Sequence, residues 1–364
     1  LWTMDRVGRG GAATVISSGP DKVIEWKLVT TWPKGLPGLG AAPENFARRV
    51  NEASGGRMRI KVFGAGEIVP AFEVFDAVSR GVAEAGHGAA YYWKGKIPAA
   101  VFYTAVPFGM TAQEANGWLH YGGGLELWRE LYAPFGVVPF AGGSTGVQMA
   151  GWFNTRLKSR ADLQGLKMRI PGLAGEVFDA AGGSAVRIAG GEVYTSMQTG
   201  VIDAVEWVGP YNDRTLGLME VGDYYYYPGW HEPGAMLETI VNEEALAALP
   251  DDLQAIVRIA ARATNTDMLD DFTANNSESL QILLREFDTE VLPLPEDVLD
   301  ALYESSQKAV HALVESDPMA AKIAASYFKF AEKVRTYHEI SERGYLNARD
   351  RLLPPVTLTA GSAE

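Results

Sequence analysis

Two stretches of this chain spell the same structural unit, and that repetition constrains the fold more than any other feature. Val-Phe-Asp-Ala-Val-Ser-Arg-Gly-Val-Ala-Glu-Ala over 74–85 runs in step with Val-Tyr-Thr-Ser-Met-Gln-Thr-Gly-Val-Ile-Asp-Ala over 193–204. In both, apolar residues at helical spacing end on a glycine, Gly81 or Gly200, which takes a left-handed turn without the clash of a Cβ. A short run of apolar and small residues follows, suited to a buried strand. Upstream, Met58-Arg59-Ile60 echoes Met168-Arg169-Ile170. Chance likeness of two βα units competes with this reading, and the spacing is too long for a solenoid. The expectation is two similarly built α/β lobes. Open α/β sheets bind ligands beyond the carboxyl ends of their strands, so both repeats should end on a shared crevice. On this superposition Glu206 lies opposite His87, and Trp207 opposite Gly88.

The rest of the chain fits around the repeat. Residues 23–32 are β-rich, 42–54 have helical spacing and stop at Gly55-Gly56, and 57–63 alternate between apolar and basic residues. Strand, helix, strand is a βαβ unit with a right-handed crossover. The glycine-rich stretch 141–146 carries no G-K-[ST] and precedes no helix, so it is not a phosphate loop. It reads as a lobe-to-lobe crossing, with a return near 232–242. Residues 251–287 contain neither Pro nor Gly and predict a helix of roughly 55 Å, long enough to back both lobes. The expected division is a lead-in at 1–22, lobe I at 23–143 plus 238–290, lobe II at 144–237, and C-terminal helices over 291–364. Within the last, 317–350 carries Ile323, Tyr327, Phe330, Val334, Tyr337 and Tyr345 on one stripe, a candidate dimerisation helix.

Composition narrows the functional classes. The 364 residues carry a net charge of −13 with no Lys/Arg-rich segment, which disfavours nucleic acid and anionic membrane surfaces. No apolar run approaches the ~20 residues of a membrane helix, so no direct membrane insertion is expected. With no cysteine, disulfides, thiol catalysis and thiolate metal sites are excluded. Gly142-Gly143-Ser144-Thr145-Gly146 spells G-x-S-x-G but precedes no helix and so makes no nucleophile elbow; there is no H-E-x-x-H zinc motif and no dinucleotide fingerprint. Residues 1–22 are rich in Gly, Ala, Ser and Thr and lack the pattern of a signal peptide.

The chemistry concentrates where the second repeat ends. Glu206 at the tip of a buried strand is costly to desolvate unless something positive meets it; a plain salt bridge is the alternative reading. Arg169 ends another strand, and is either a solvated charge or, facing the crevice, a planar fork for a carboxylate. Glu232 follows four tyrosines, and its neighbour His231 is a weak signal. A pair such as Glu206 and Glu232 could run glycoside hydrolysis. A binding reading uses the groups more fully. Two carboxylates, the Gln148 amide oxygen and the Trp207 backbone carbonyl form an all-oxygen set of the kind preferred by Na⁺ or Ca²⁺. An anion then fits between that cation and Arg169. The charge sum favours Ca²⁺ mildly without deciding. Tyr92, Trp207 and Trp230 would wall off water and limit ligand size.

These residues carry a family resemblance. Asp162-Leu163-Gln164-Gly165-Leu166-Lys167-Met168-Arg169-Ile170-Pro171 resembles the signature strand of TRAP-transporter solute-binding proteins. Thr30-Thr31-Trp32-Pro33, Ala105-Val106-Pro107-Phe108-Gly109-Met110, Glu206-Trp207-Val208-Gly209-Pro210-Tyr211 and the run 224–230 resemble the subgroup that binds 2-oxo acids. The likeness covers about residues 24–350. It implies a bilobal clamshell, an Arg169 clamp on the substrate carboxylate, and a Na⁺ or Ca²⁺ held by Gln148, Glu206, the Trp207 carbonyl and Glu232 that bridges to the substrate. It also implies contacts from Tyr92 and Trp230, export to the periplasm, delivery to TRAP membrane permease subunits, and a homodimer through the C-terminal helix. The expected function is therefore capture of a small 2-oxo or 2-hydroxy monocarboxylate by a non-enzyme. A carboxylate-pair hydrolase and a sensory periplasmic receptor are the alternatives.

Overall fold

The computed structural model describes residues 23–354; the expected lead-in at 1–22 and the last ten residues lie outside the described residues. The strands are β1 (Ile24–Thr30), β2 (Met58–Phe63), β3 (Ala85–Gly88), β4 (Val137–Ser144), β5 (Gly151–Phe153), β6 (Lys167–Arg169), β7 (Ser184–Val186), β8 (Ala204–Val205), β9 (Tyr224–Tyr227), β10 (Met236–Asn242) and β11 (Glu290–Pro293). They form two sheets, one ordered β2-β1-β3-β10-β4 and the other β11-β9-β5-β8-β6-β7. Helices pack around both, giving the bilobal mixed α/β architecture that the repeat foretold.

The repeat itself is present. Helices Val74–Ser79 and Val193–Gln198 each follow a short 3-10 turn, and each leads through a left-handed glycine into β3 or β8. The two sheets then match strand for strand: β2, β1, β3, β10 and β4 correspond to β7, β6, β8, β5 and β9. In each, the first three strands are parallel and the next two alternate in direction. This corrects the upstream echo. Met58-Arg59-Ile60 lies on the edge strand β2, whereas Met168 and Arg169 lie on β6, which pairs with β7 and β8 as β1 pairs with β2 and β3. The counterpart of β6 is β1. The misleading match arose because β7 is three residues long, too short for its alternation to show.

Other boundaries move for local reasons. The 141–146 stretch is not all loop: β4 continues to Ser144. Its glycines permit close packing, since a Cβ on Gly142 would meet the Thr239 backbone nitrogen at 2.5 Å and one on Gly143 would collide with Met268. The crossings between lobes run instead at 145–150 and 228–235. They are tied together by Thr145 N–H to Ala235 O (3.1 Å), Gln148 N–H to Glu232 O (3.2 Å) and Gly229 N–H to Gln148 O (2.9 Å).

The long helix Asp251–Glu286 is unbroken over 36 residues, about 54 Å. It packs on β4 and helix Ala41–Ala53 at one end and on helix Pro210–Thr215 at the other, so it backs both sheets rather than belonging to lobe I alone. The C-terminal part is also shared out. β11 extends the second sheet beside β9, and Val298 and Leu302 of helix Glu296–Ser316 are buried with Val177 and Phe178 of helix Gly172–Ala180. The expected 317–350 helix breaks at Ser341 into Pro318–Ile340 and Glu342–Leu352. Its stripe divides before that break: Ile323 and Tyr327 are buried against the first lobe, while Tyr337, still on the first of these helices, and Tyr345 are 64% and 65% exposed.

Candidate functional site

The site forms where β6 and β8 end and the crossing segments pass over them. Arg169 is the last residue of β6 and Glu206 directly follows β8, its parallel neighbour. Gln148 comes from the first crossing, and His231 and Glu232 from the second. All five side chains are buried. None sits there for packing; each arrives because strand ends and crossings converge at the crevice.

Arg169 is turned inward. Its Nη1 donates to the Glu206 carbonyl (2.6 Å) and to Glu206 Oε2 (2.9 Å), its Nη2 to the Tyr92 hydroxyl (3.3 Å), and its Nε to Ile188 O (3.2 Å). The guanidinium carbon lies 4.8 Å from the centre of the Trp207 ring, a cation–π contact that also keeps it dry. Gln148 Nε2 donates to Glu232 Oε2 (2.8 Å) and to Thr145 Oγ1 (3.1 Å). An ionised Glu232 only accepts, and that orients the amide with Nε2 toward it. The remaining oxygens of the set, Gln148 Oε1, Glu206 Oε1 and Glu232 Oε1, are buried without a hydrogen-bond donor. An unpaired buried acceptor costs about 1–3 kcal/mol, and three together form a concentrated patch of negative potential.

His231 belongs to the same cluster. Ligand atoms of Glu206, His231 and Glu232 all lie within 4.8 Å of one another, and His231 Nε2 is 3.5 Å from Glu206 Oε1. Burial lowers the His231 pKa to about 4, so the ring is neutral at neutral pH. Burial pushes Glu206 up to about 7, against the pull of Arg169. Burial, with Glu206 adding repulsion, pushes Glu232 up to about 8. Two crowded carboxylates sharing one guanidinium resist joint ionisation; a cation among them reverses that and holds both as anions. The donor set is rich in oxygen and fits a hard cation.

The cavity above these groups is lined by Trp32, Leu39, Tyr91, Tyr92, Thr145, Gln148, Arg169, Trp207, Val208, Glu232 and Leu237. Its volume is ≈ 10 Å³, the order of one water molecule, so the lobes stand closed and must part to admit a solute. Contacts at the rim hold them together: Arg187 Nη1 donates to Tyr92 O (3.0 Å) and its guanidinium lies over the Phe72 ring, while Lys94 pairs with Glu176.

Trp230 is the candidate that the structure places elsewhere. Its ring packs in a second core cluster, 5.9 Å from Phe108 and 5.5 Å from His231 between ring centroids, and does not line the cavity. Trp32 and Tyr91 take the wall positions instead. The run of aromatics 224–230 offered no means to tell which ring turns inward.

Comparison with known proteins decides the family. The profile of bacterial extracellular solute-binding proteins, family 7, matches residues 28–317. The chain belongs to this family. Its members are the substrate-binding subunits of TRAP transporters, not enzymes, and the hydrolase alternative at Glu206 and Glu232 is withdrawn. This family 7 protein is 41% identical over 324 residues to a monocarboxylate 2-oxoacid-binding periplasmic protein of Nostoc sp., covering 89% of this chain and 88% of the relative. Two TRAP solute-binding protein structures are similar throughout. One, from Bordetella bronchiseptica, is a dimer with calcium and picolinate in one active site; it is 36% identical with a TM-score of 0.89, covering 91% of this chain and 98% of that one. The other, from Pseudoalteromonas atlantica, holds sodium and pyruvate; it is 40% identical with a TM-score of 0.87, covering 90% and 99%. No helix among the described residues is long and apolar enough to cross a membrane.

Proposed function

We propose that this family 7 protein is the periplasmic receptor that captures a small 2-oxo or 2-hydroxy monocarboxylate and presents it to TRAP membrane permease subunits. Arg169 takes the substrate carboxylate. A Na⁺ or Ca²⁺ held by Gln148 Oε1, Glu206, the Trp207 carbonyl and Glu232 takes the carboxylate and 2-oxygen from the other side. The observation that carries this reading is the trio of unpaired buried oxygens on Gln148, Glu206 and Glu232 beside a buried guanidinium. A cation neutralises what otherwise destabilises the fold. Relatives that bind pyruvate with sodium, or picolinate with calcium, support both halves.

The walls define the tail of the substrate. Trp32, Leu39, Val208 and Leu237 are apolar and offer a second carboxylate no partner, so a short aliphatic or unsubstituted tail is favoured over a dicarboxylate. For the dimer, the exposed side chains of Tyr337, Ile340, Tyr345 and Leu346 supply apolar area at the end of the C-terminal helices, and the Bordetella relative is a dimer.

A ligand that binds only the native state raises the melting temperature. A thermal-shift screen of pyruvate, lactate, longer 2-oxo acids and succinate, with and without Na⁺, Ca²⁺ and a chelator, is expected to show stabilisation by monocarboxylates only when a cation is present. Equal stabilisation after exhaustive removal of both cations rejects the bridged site.

A further inference from the structure

Asp213 is 1% exposed and stands outside the cavity, yet it accepts four hydrogen bonds. Its Oδ1 takes the backbone N–H of Val208 (3.1 Å) and of Gly209 (3.0 Å), and its Oδ2 takes Trp152 Nε1 (3.1 Å) and the Tyr225 hydroxyl (2.9 Å). Reaching back from within the helix Pro210–Thr215 to the backbone N–H of the residue before it explains the Gly209 bond. It does not explain the other three.

We propose that Asp213 is a positioning residue of the cation site, fixing the direction of the Trp207 carbonyl through the peptide group that Trp207 shares with Val208. This rests on the cation reading above. A planar trans peptide holds its C=O antiparallel to its N–H, and the one cis bond among the described residues is Tyr227–Pro228. With the Val208 N–H held on Asp213, the Trp207 carbonyl faces away from Asp213, and the peptide plane cannot rotate without breaking that bond.

The other end of the device is rigid. Trp152 and Tyr225 are cross-strand partners on β5 and β9, and their rings stack at 4.2 Å with 15° between planes. They hold the carboxylate against the sheet that also carries Glu206. The loop is pinned a third time where Met149 N–H donates to Val208 O (3.0 Å), one residue after Gln148. Groups behind a metal ligand set its orientation, and losing them weakens metal affinity 10–100-fold.

The sequence Trp-Val occurs once in the chain. Labelling Trp with carbonyl ¹³C and Val with ¹⁵N therefore gives a single correlated signal for the Trp207–Val208 peptide. That signal is titrated with CaCl₂ at saturating pyruvate in sodium-free buffer, alongside calorimetry and Val208 amide exchange without cation. In the wild type the carbonyl shift should follow Ca²⁺. Asp213→Ala should raise the Ca²⁺ midpoint at least tenfold and lower Val208 protection, leaving pyruvate affinity at saturating Ca²⁺ within threefold. Asp213→Asn, whose amide oxygen can keep both backbone N–H groups at the expense of the Trp152 bond, and Tyr225→Phe, which leaves Trp152 Nε1 on the carboxylate, should each shift the midpoint less than Asp213→Ala. A wild-type midpoint in folded Asp213→Ala overturns the proposal, and so do equal shifts in Asp213→Ala and Tyr225→Phe, which mark general loosening. Where Asp213→Ala does not fold, Asp213→Ser carries the same test, with a shift above threefold expected and a wild-type midpoint overturning it. A wild-type signal unmoved by Ca²⁺ and by Na⁺ overturns the cation reading itself, and the positioning role with it.

Discussion

His87 and Glu206 stand at the same point of the same unit, one in each lobe, and use that position in opposite ways. Helices Val74–Ser79 and Val193–Gln198 have equal length, Gly81 and Gly200 have φ of 68° and 69°, and the wholly buried polar side chains His87, within β3, and Glu206, directly after β8, come next. In the first lobe His87 is fully paired. Its Nδ1 accepts from Trp32 Nε1 (2.9 Å), leaving Nε2–H to donate to Gly142 O (3.1 Å). Burial lowers its pKa to about 4, so it stays neutral. In the second lobe Glu206 has one oxygen on Arg169 and one with no donor. One copy ends in a closed hydrogen-bond circuit that ties a cavity wall to β4. The other ends in an open one that a cation can complete. A duplicated backbone unit is thus spent on stability in one lobe and on binding in the other, the trade expected of a site held in an unfavourable state until its ligand arrives.

The comparison can be broken most directly at Glu206. Glu206→Gln removes the open carboxylate, and pyruvate affinity measured by calorimetry in Ca²⁺ should fall at least 100-fold, about 2.7 kcal/mol. Its unliganded stability should fall, since the buried Arg169 guanidinium loses its counter-charge. Affinity within threefold of wild type would end the distinction between the two positions.

At His87 the balance should invert. His87→Leu leaves Trp32 Nε1 and Gly142 O without partners and should cost about 3 kcal/mol of unfolding free energy, read by urea denaturation, with a smaller loss of affinity than Glu206→Gln. A variant as stable as wild type would show that the circuit is incidental.

Acidity tests the first lobe further. Glu238, on the strand paired with β3, accepts from Trp93 and Tyr132, and burial pushes its pKa up to about 7. The folded state then holds a proton that the unfolded chain has released between pH 4.5 and 7, so this group's contribution falls as pH rises through that window. His87 works the other way: its folded pKa lies below its unfolded value, so its contribution is lost as pH falls from about 6.5 toward 4. Removing the carboxylate in Glu238→Gln should therefore raise stability relative to wild type by up to about 3 kcal/mol on going from pH 4.5 to 7. A difference independent of pH would place the Glu238 proton elsewhere.

The smallest effects should be equal in the two lobes. A Cβ on Gly200 meets nothing within 4 Å and one on Gly81 meets only the Asn242 side chain at 4.0 Å, so Gly81→Ala and Gly200→Ala should each cost only the left-handed backbone term, about 1–2 kcal/mol. A clear inequality would mean that the two turns carry different loads.

Much of this was legible in the residues. The two helix–glycine–strand units, the alternation of β2, the long unbroken helix and the oxygen-rich set around Glu206 rest on local periodicity and residue chemistry. The Arg169 environment was not legible, because an arginine at a strand end reads the same whether it faces water or a crevice. Nor was the choice among aromatics: Trp230 turns to Phe108 while Trp32, about 200 residues earlier, lines the cavity. His231 was a faint signal for the same reason, since its partner Glu206 comes from the end of β8 and not from its own crossing segment.

By itself the sequence determined the two α/β units, the types of side chain available at their ends and the kind of ion that those side chains suit, because turn chemistry and periodicity act between near neighbours. The tertiary structure alone decided that β6 answers to β1 rather than β2, that the crossings bring Gln148 to Glu232 and that Arg169 meets Glu206. Those partners lie 84 and 37 residues apart, and which oxygens are left unpaired depends on every donor that packing brings near them.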